Sequence, residues 1–325
     1  MAVYVWRLVN VWIGAETTRG AGADSFDFVP KLSFSFEDKL EVNENDASIG
    51  KLAKTTGVCG KRRWAEGDLE GNVGVNKMGY FFKNILWEVS SAETADGSGV
   101  YKHTFSLAHN NLHPSLALAL VEPNQNVVFP LAMLEELSIT WEPGKCLNFK
   151  ASFKSKPSKT ASNTASYGTD YNLNANNLSV KIADTVDDLA NASALDLLNF
   201  EVKFAQATEG VYVVGSEEVE EIYNQTVEIT GSFEMVYDSN EWKDVYLNNQ
   251  EKALEIDIVD LWTTIGSNND NPSLKIILNK VFLQDWARSV DNDEIVKQTL
   301  WFKAIYDIAN DTLVNVELVN TKSAY

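Results

Sequence analysis

The chain has 325 residues, 45% apolar and 22% charged, enough to build a sizeable core and too apolar for a disordered chain despite a net charge of −19. That acidity opposes tight binding to nucleic acid, which needs Lys and Arg to displace the counterions condensed on phosphate. Only two cysteines, Cys59 and Cys146, are present, so neither a disulfide framework nor a multi-cysteine zinc site can be read from them.

The opening MAVYVWRLVNVWIG lacks the basic head and cleavage site of a signal peptide, and no run reaches the ~18 apolar residues of a membrane helix. The expectation is a chain made in the cytoplasm with no membrane partner. Gly14, Gly20 and Gly22 lack the Gly-Lys-Ser/Thr ending of a phosphate-cradling loop and read as turn or arm glycines.

Strands are expected at 61–64 and 69–75, followed by a helix at 77–86 with Met78, Phe81, Phe82 and Ile85 on one face. Further strands are expected at 100–107 and 116–121. Then Leu137, Ile139 and Trp141 alternate with Ser138 and Thr140, and Leu147, Phe149, Ala151 and Phe153 alternate with Asn148, Lys150 and Ser152. Pro143 and Gly144 between them suit a reversal, so the pair predicts a long hairpin. Residues 154–177, rich in Ser, Thr, Asn and Lys, have the composition of a linker or flexible arm.

The second half predicts a strand at 227–237, a helix at 241–247 with Trp242, Val245 and Tyr246, and strands at 254–259 and 274–278. A closing hairpin is expected from 299–306 to 313–319 around Ala309-Asn310-Asp311. The order resembles that of the first half. Gly71, before the first helix, stands 160 positions ahead of Gly231, before the second, and Pro114-Ser115-Leu116 matches Pro272-Ser273-Leu274. The predicted fold is mainly β: two tandem sandwich domains, residues 31–153 and 178–325, each with a short flanking helix and related by internal duplication. Residues 1–30 form an N-terminal arm and residues 154–177 the linker.

Candidate chemistry is sparse. His109 and His113 stand four apart, but they flank Asn110-Asn111 and precede Pro114, so they belong to a loop and not to a metal-binding helix. There is no Gly-x-Ser-x-Gly elbow. Glu217, Glu218, Glu220 and Glu221 form an acidic run, and Lys150, Lys154, Lys156 and Lys159 a basic one that could meet it across subunits. The Trp and Phe residues mostly fall on the apolar side of strand patterns and read as core. No catalytic, cofactor-binding or metal-ligating residue is assigned, and no cofactor is expected.

A longer ordered series carries a resemblance. It runs from Gly14-Ala15-Glu16-Thr17-Thr18 and Phe28-Val29-Pro30 through Trp64-Ala65-Glu66-Gly67-Asp68-Leu69-Glu70-Gly71 to His103-Thr104-Phe105-Ser106-Leu107, Pro114-Ser115-Leu116 and Glu142-Pro143-Gly144. It continues with Asp293-Glu294-Ile295-Val296-Lys297-Gln298-Thr299, Leu318-Val319-Asn320 and Ser323-Ala324-Tyr325. In this series the chain resembles siphovirus-type tail tube proteins.

The resemblance implies a non-enzymatic virion protein of the tail, assembled in the host cytoplasm, whose inner sheets join into a barrel around a channel. Rings would stack into a hollow tube that conducts viral DNA during ejection. Two tube domains per chain imply a homotrimeric, pseudo-hexameric ring, with a hexamer as the alternative. Implied partners are further copies of the chain, the tape measure protein, genomic DNA passing transiently through the lumen, and the tail terminator and distal tail proteins. Stacking arms are expected in residues 1–30, 154–177 and 320–325. A carbohydrate-binding or adhesin sandwich, a glycosidase with an unidentified carboxylate pair, and another virion part such as a tail terminator are the competing readings.

Overall fold

In the computed structural model, which describes residues 4–161, 167–289 and 293–325, the chain is mainly β, as its period-two patterns predict. The first half holds β1 (Asn10–Ala15), β2 (Asp27–Val29), β3 (Ser33–Phe34), β4 (Glu37–Asn45), β5 (Gly57–Asn72), α1 (Val75–Leu86), β6 (Trp87–Glu93), β7 (Tyr101–Leu107), β8 (Leu116–Val121), β9 (Asn126–Trp141), β10 (Asn148–Ser155) and β11 (Lys159–Thr160). The second holds β12 (Leu178–Ala183), β13 (Leu197–Val211), β14 (Glu221–Val236), α2 (Glu241–Leu247), β15 (Lys252–Val259), β16 (Ser273–Arg288), β17 (Lys297–Ala304) and β18 (Asn315–Asn320).

Followed sideways, the antiparallel ladders give one continuous sheet eight strands wide, in the order β4, β5, β10, β9, β13, β14, β17, β16, with β3 prolonging the β4 edge. The order β4, β5, β10, β9 therefore recurs as β13, β14, β17, β16. The registers agree as well: Gly71 lies opposite Phe149, and Gly231 opposite Phe302. A Cβ on Gly71 would come 2.8 Å from the Phe149 ring, and one on Gly231 2.4 Å from the Phe302 ring, so each half places a glycine where a phenylalanine ring closes over the strand.

Two smaller sheets complete the other side of the core. One runs β2, β1, β8 and the first part of β9, with β11 beyond it; the other runs β12, β15, the first part of β16, β18, β7 and β6. Strands β9 and β16 thus each pass from a small sheet into the wide one. In β9 the change of direction falls at Leu131, whose φ of 56° is costly for a residue with a side chain. Glu16 Oε1 holds the bend by accepting the Leu131 N–H at 3.1 Å.

Both helices pack on the core side of the wide sheet. On α1, Phe81 lies between Phe149 and Phe153, with ring centroids at 5.1 and 6.0 Å, and Phe82 meets Phe105 and Phe204. On α2, Trp242 meets Phe233 edge to face. On the opposite face of the wide sheet the turn between β13 and β14 covers the end near Trp64 and Met133, and no other layer covers that face among the described residues.

Several expectations are corrected. Residues 10–29 are not a free arm: Val9, Val11 and Ile13 are buried, and β1 is paired on both sides, with β2 and β8. The alternation there is masked because β1 is buried on both faces and so reads as a short apolar run. The strand expected at 69–75 ends at Asn72, and the helix begins at Val75. No closing hairpin forms from 299 to 319, since β17 pairs with β14 and β16 while β18 pairs with β16 and β7.

The predicted linker is partly built in: Leu173 is buried, and Asp170 Oδ1 accepts the Asn76 N–H at 2.9 Å. That bond caps the start of α1, where Gly74 offers no side chain of its own. Residues 1–3 of the predicted arm and 162–166 of the linker lie outside the described residues.

Candidate functional site

The open face of the wide sheet follows from strand alternation. In β10, Phe149, Ala151 and Phe153 point into the core, so Lys150, Ser152 and Lys154 point away from it. The same alternation puts Glu66, Asp68 and Glu70 of β5, Glu136 of β9, Glu201 and Lys203 of β13, Glu228 and Glu234 of β14, and Lys297 and Lys303 of β17 on that face. Polar side chains predominate on it; the apolar exceptions include Trp301, which is exposed, and Trp64 and Met133, which lie in a small cluster with Val219 and Ile222.

Its ion pairs repeat with the fold. Lys150 Nζ lies 2.9 Å from Asp68, and Lys303 Nζ lies 2.6 Å from Glu228, two pairs that occupy matching places in the two halves. A third, Lys203 to Glu136 at 2.6 Å, crosses the junction of β13 with β9. Burial alone would raise the Asp68 carboxyl, but the bond from the Ser152 hydroxyl and then those from Lys150 hold it below its ordinary range. Among the described residues Glu201 and Glu234 have no lysine partner, so the face carries surplus negative charge between fixed pairs.

Two members of the acidic run are already held within the chain. Glu217 pairs with Lys61 at 3.1 Å, and Glu221 accepts from Arg19 at 2.6 Å, both within the chain. The turn between β13 and β14 lies against β5, where the Arg63 N–H donates to Glu217 O at 2.7 Å and the Arg62 guanidinium sits over the Tyr212 ring. The histidines are structural in their contacts. His113 is buried, with Nδ1 3.0 Å from Gln206 Oε1 and Nε2 3.2 Å from Ala108 O, and burial pushes its imidazole below the usual value. His109 Nε2 lies 3.1 Å from Tyr306 Oη.

The C-terminal residues, expected as an arm, are docked on α1. The Tyr325 ring covers Gly79, its hydroxyl accepts from Asn320 Nδ2 at 2.7 Å, and Lys83 reaches its main-chain oxygen. Lys322 Nζ lies 2.7 Å from Asp27.

Sequence reasoning missed two residues that fasten the N-terminal segment. Glu16 accepts from the N–H groups of Gly20 and Gly22, at 2.7 and 2.9 Å, from the Ser115 hydroxyl and from Leu131. Arg19 donates to Glu221, to Ile222 O at 2.7 Å and to His113 O. The only signal available was the placement of Glu16 within the resemblance series; nothing in the spacing of Arg19 names its partners, which lie far along the chain.

No curated protein matches the chain. A family model described as phage tail tube protein matches residues 6–271, which spans the N-terminal strands, the whole first half of the wide sheet and, in the second half, β13 and β14. By that match the chain belongs to the phage tail tube protein family.

Proposed function

We propose that this chain is the repeating subunit of a hollow phage tail, polymerising as stacked rings into a tube that conducts DNA during ejection. The observation that carries the reading is the wide sheet, polar on one face, apolar on the other and ending in two open strands. A sheet with free edges is an unstable arrangement in water, and closing it into a barrel removes them. The polar face then becomes the wall of a channel, and its surplus carboxylates repel phosphate, so the genome slides without sticking. The role is structural and needs no catalytic residue.

The recurrence of strand order, glycine–phenylalanine contact and ion pair supports an internal duplication, with residues 31–153 and 178–325 as tandem tube domains. Three chains, each giving eight strand positions, then complete a pseudo-hexameric ring; a ring of six chains is the alternative. The proposed location is the virion tail, after assembly in the host cytoplasm. Neighbouring copies, the tape measure protein and DNA in the lumen, and the terminator and distal proteins at the ends are the proposed partners.

Electron microscopy of the purified chain, with averages of end-on views, tests the reading. The expected result is hollow rings or tubes with three two-lobed units around the channel. A dispersed monomer at high concentration, in a preparation offered an assembly-initiating tail tip, refutes it.

A further inference from the structure

The junction between β9 and β13 is a seam inside one chain that shows how two tube halves join. There the last strand of the first four-stranded unit pairs antiparallel with the first strand of the second, with Leu137 opposite Phe204 and Ser138 opposite Lys203. The matching strands at the outer limits of the sheet have no partner on their far side. Among the described residues, β3 and β4 pair only with β5, and β16 from Phe282 onward pairs only with β17.

Matching positions are fixed by the shared register. Phe34 lies opposite Leu69 as Phe204 lies opposite Ile229, and Leu69 and Ile229 are separated by the same interval as Gly71 and Gly231. Phe34 therefore holds the place of Phe204. On the other edge, Phe149 lies opposite Ile139 as Phe302 lies opposite Leu283, so Val281 holds the place of Leu137 and Phe282 that of Ser138. The β3 edge also carries Leu32, 62% exposed next to the buried Phe34, an apolar group left in water where a neighbouring strand is absent.

We propose that the intrachain seam is repeated between chains: the β16 edge of one copy, free from Phe282 onward because Lys252 of β15 still flanks Val281, pairs antiparallel with the β3 edge of the next, placing Phe282 opposite Ser33 and Leu283 opposite Leu32. This rests on the tube reading and gives it a register. The two edges are different surfaces, so the contact is head to tail and generates a ring when the rotation closes. A one-residue slip would turn every side chain to the wrong face, which is why the pleat fixes the pairing so narrowly.

Cysteine pairing in assembled tubes tests the register. In a background with Cys59 and Cys146 replaced by Ser, Ser33→Cys and Phe282→Cys are introduced together; directly opposed antiparallel residues lie about 4.5–5.5 Å apart at Cα, within disulfide reach. Mild oxidation of tubes is expected to give reducible dimers and trimers on a denaturing gel. The pair Ser35→Cys with Phe282→Cys, displaced by two residues, is expected to stay monomeric. Tubes without the first crosslink, or with only the second, overturn the proposal.

Hydrogen exchange on the unaltered protein decides the matter if the cysteine variants fail to assemble. Peptides covering residues 30–35 and 282–285 gain protection on passing from subunit to tube, and unchanged exchange there overturns the seam while leaving the tube reading standing. If the unaltered protein offered a tail tip forms neither rings nor tubes, the tube reading fails and the seam with it.

Discussion

Phe82, on α1, meets Phe204, on β13, edge to face with ring centroids 5.7 Å apart. A helix of the first half thus packs directly on the first strand of the second half, next to the bond between His113 and Gln206. The two halves share one core, and the chain should unfold in a single transition. Truncation by Phe204→Ala is expected to cost about 3–5 kcal/mol, read as a lowered urea midpoint. Two separate transitions by fluorescence and circular dichroism would show that the halves are independent.

Arg19 holds the N-terminal segment to β14 by charge-assisted bonds to Glu221 and Ile222 O. Its removal in Arg19→Ala leaves Glu221 without its cation, and a loss of about 2–3 kcal/mol is expected from bonds of this type. Arg19→Lys should recover little, because an ammonium cannot span the same acceptors. Full recovery by lysine, measured by thermal unfolding, would contradict the geometry.

At Gly79 two effects compete. Alanine favours the helix by about 1 kcal/mol, yet its Cβ would sit 2.2 Å from the Tyr325 ring. The ring is the far end of a side chain and not backbone, so it yields before the helix does. Gly79→Ala is therefore expected to release residues 321–325 from α1 while the fold persists, seen as rapid proteolytic cleavage of that segment. Digestion as slow as in the parent protein would refute the displacement.

Acid should weaken the fold through its buried histidines. Burial pushes His103 and His113 below the ordinary 6.5, against the opposing effect of their hydrogen bonds. A lowered folded value means the unfolded chain binds the proton first, so stability falls as pH drops through 6.5. Thermal midpoints measured between about pH 7.5 and pH 5 should decline on acidification. Asp170, raised above 3.8 by burial, acts in the opposite sense at lower pH, where its protonation favours the fold. A midpoint that rises from neutrality toward pH 5 would contradict the histidine assignment.

Glu201 and Glu234 supply negative charge to the proposed channel wall and, among the described residues, belong to no lysine pair. Tubes carrying Glu201→Lys and Glu234→Lys should still form, because both residues lie on the open face. They are expected to retain DNA and to eject it more slowly at low salt, with the defect relieved as salt rises. Unchanged ejection rates at low salt would separate tube formation from the electrostatic account.

Much of this architecture is legible in the chain itself. Alternation in β9 and β10, the Pro143-Gly144 reversal and the helix at Glu241–Leu247 are local patterns, and local sterics and one-sided burial suffice to specify them. The repeat is legible for the same reason, since Gly71 and Gly231 answer the same contact with a phenylalanine ring. The charge balance pointed away from nucleic-acid binding, and the ordered series pointed to the tube family.

Tertiary structure decided what depends on residues far apart in the chain. Strand β1 reads as an arm until β8 and β2 flank it, and β17 and β18 read as a hairpin until β16 separates them. The acidic run could not be paired from sequence, because its partners Lys61 and Arg19 lie more than a hundred residues earlier. Periodicity specifies which face of a strand is buried, but not which strand lies beside it; that choice is made by packing of the whole core, and among the described residues it leaves most of one face and two edges of the wide sheet open.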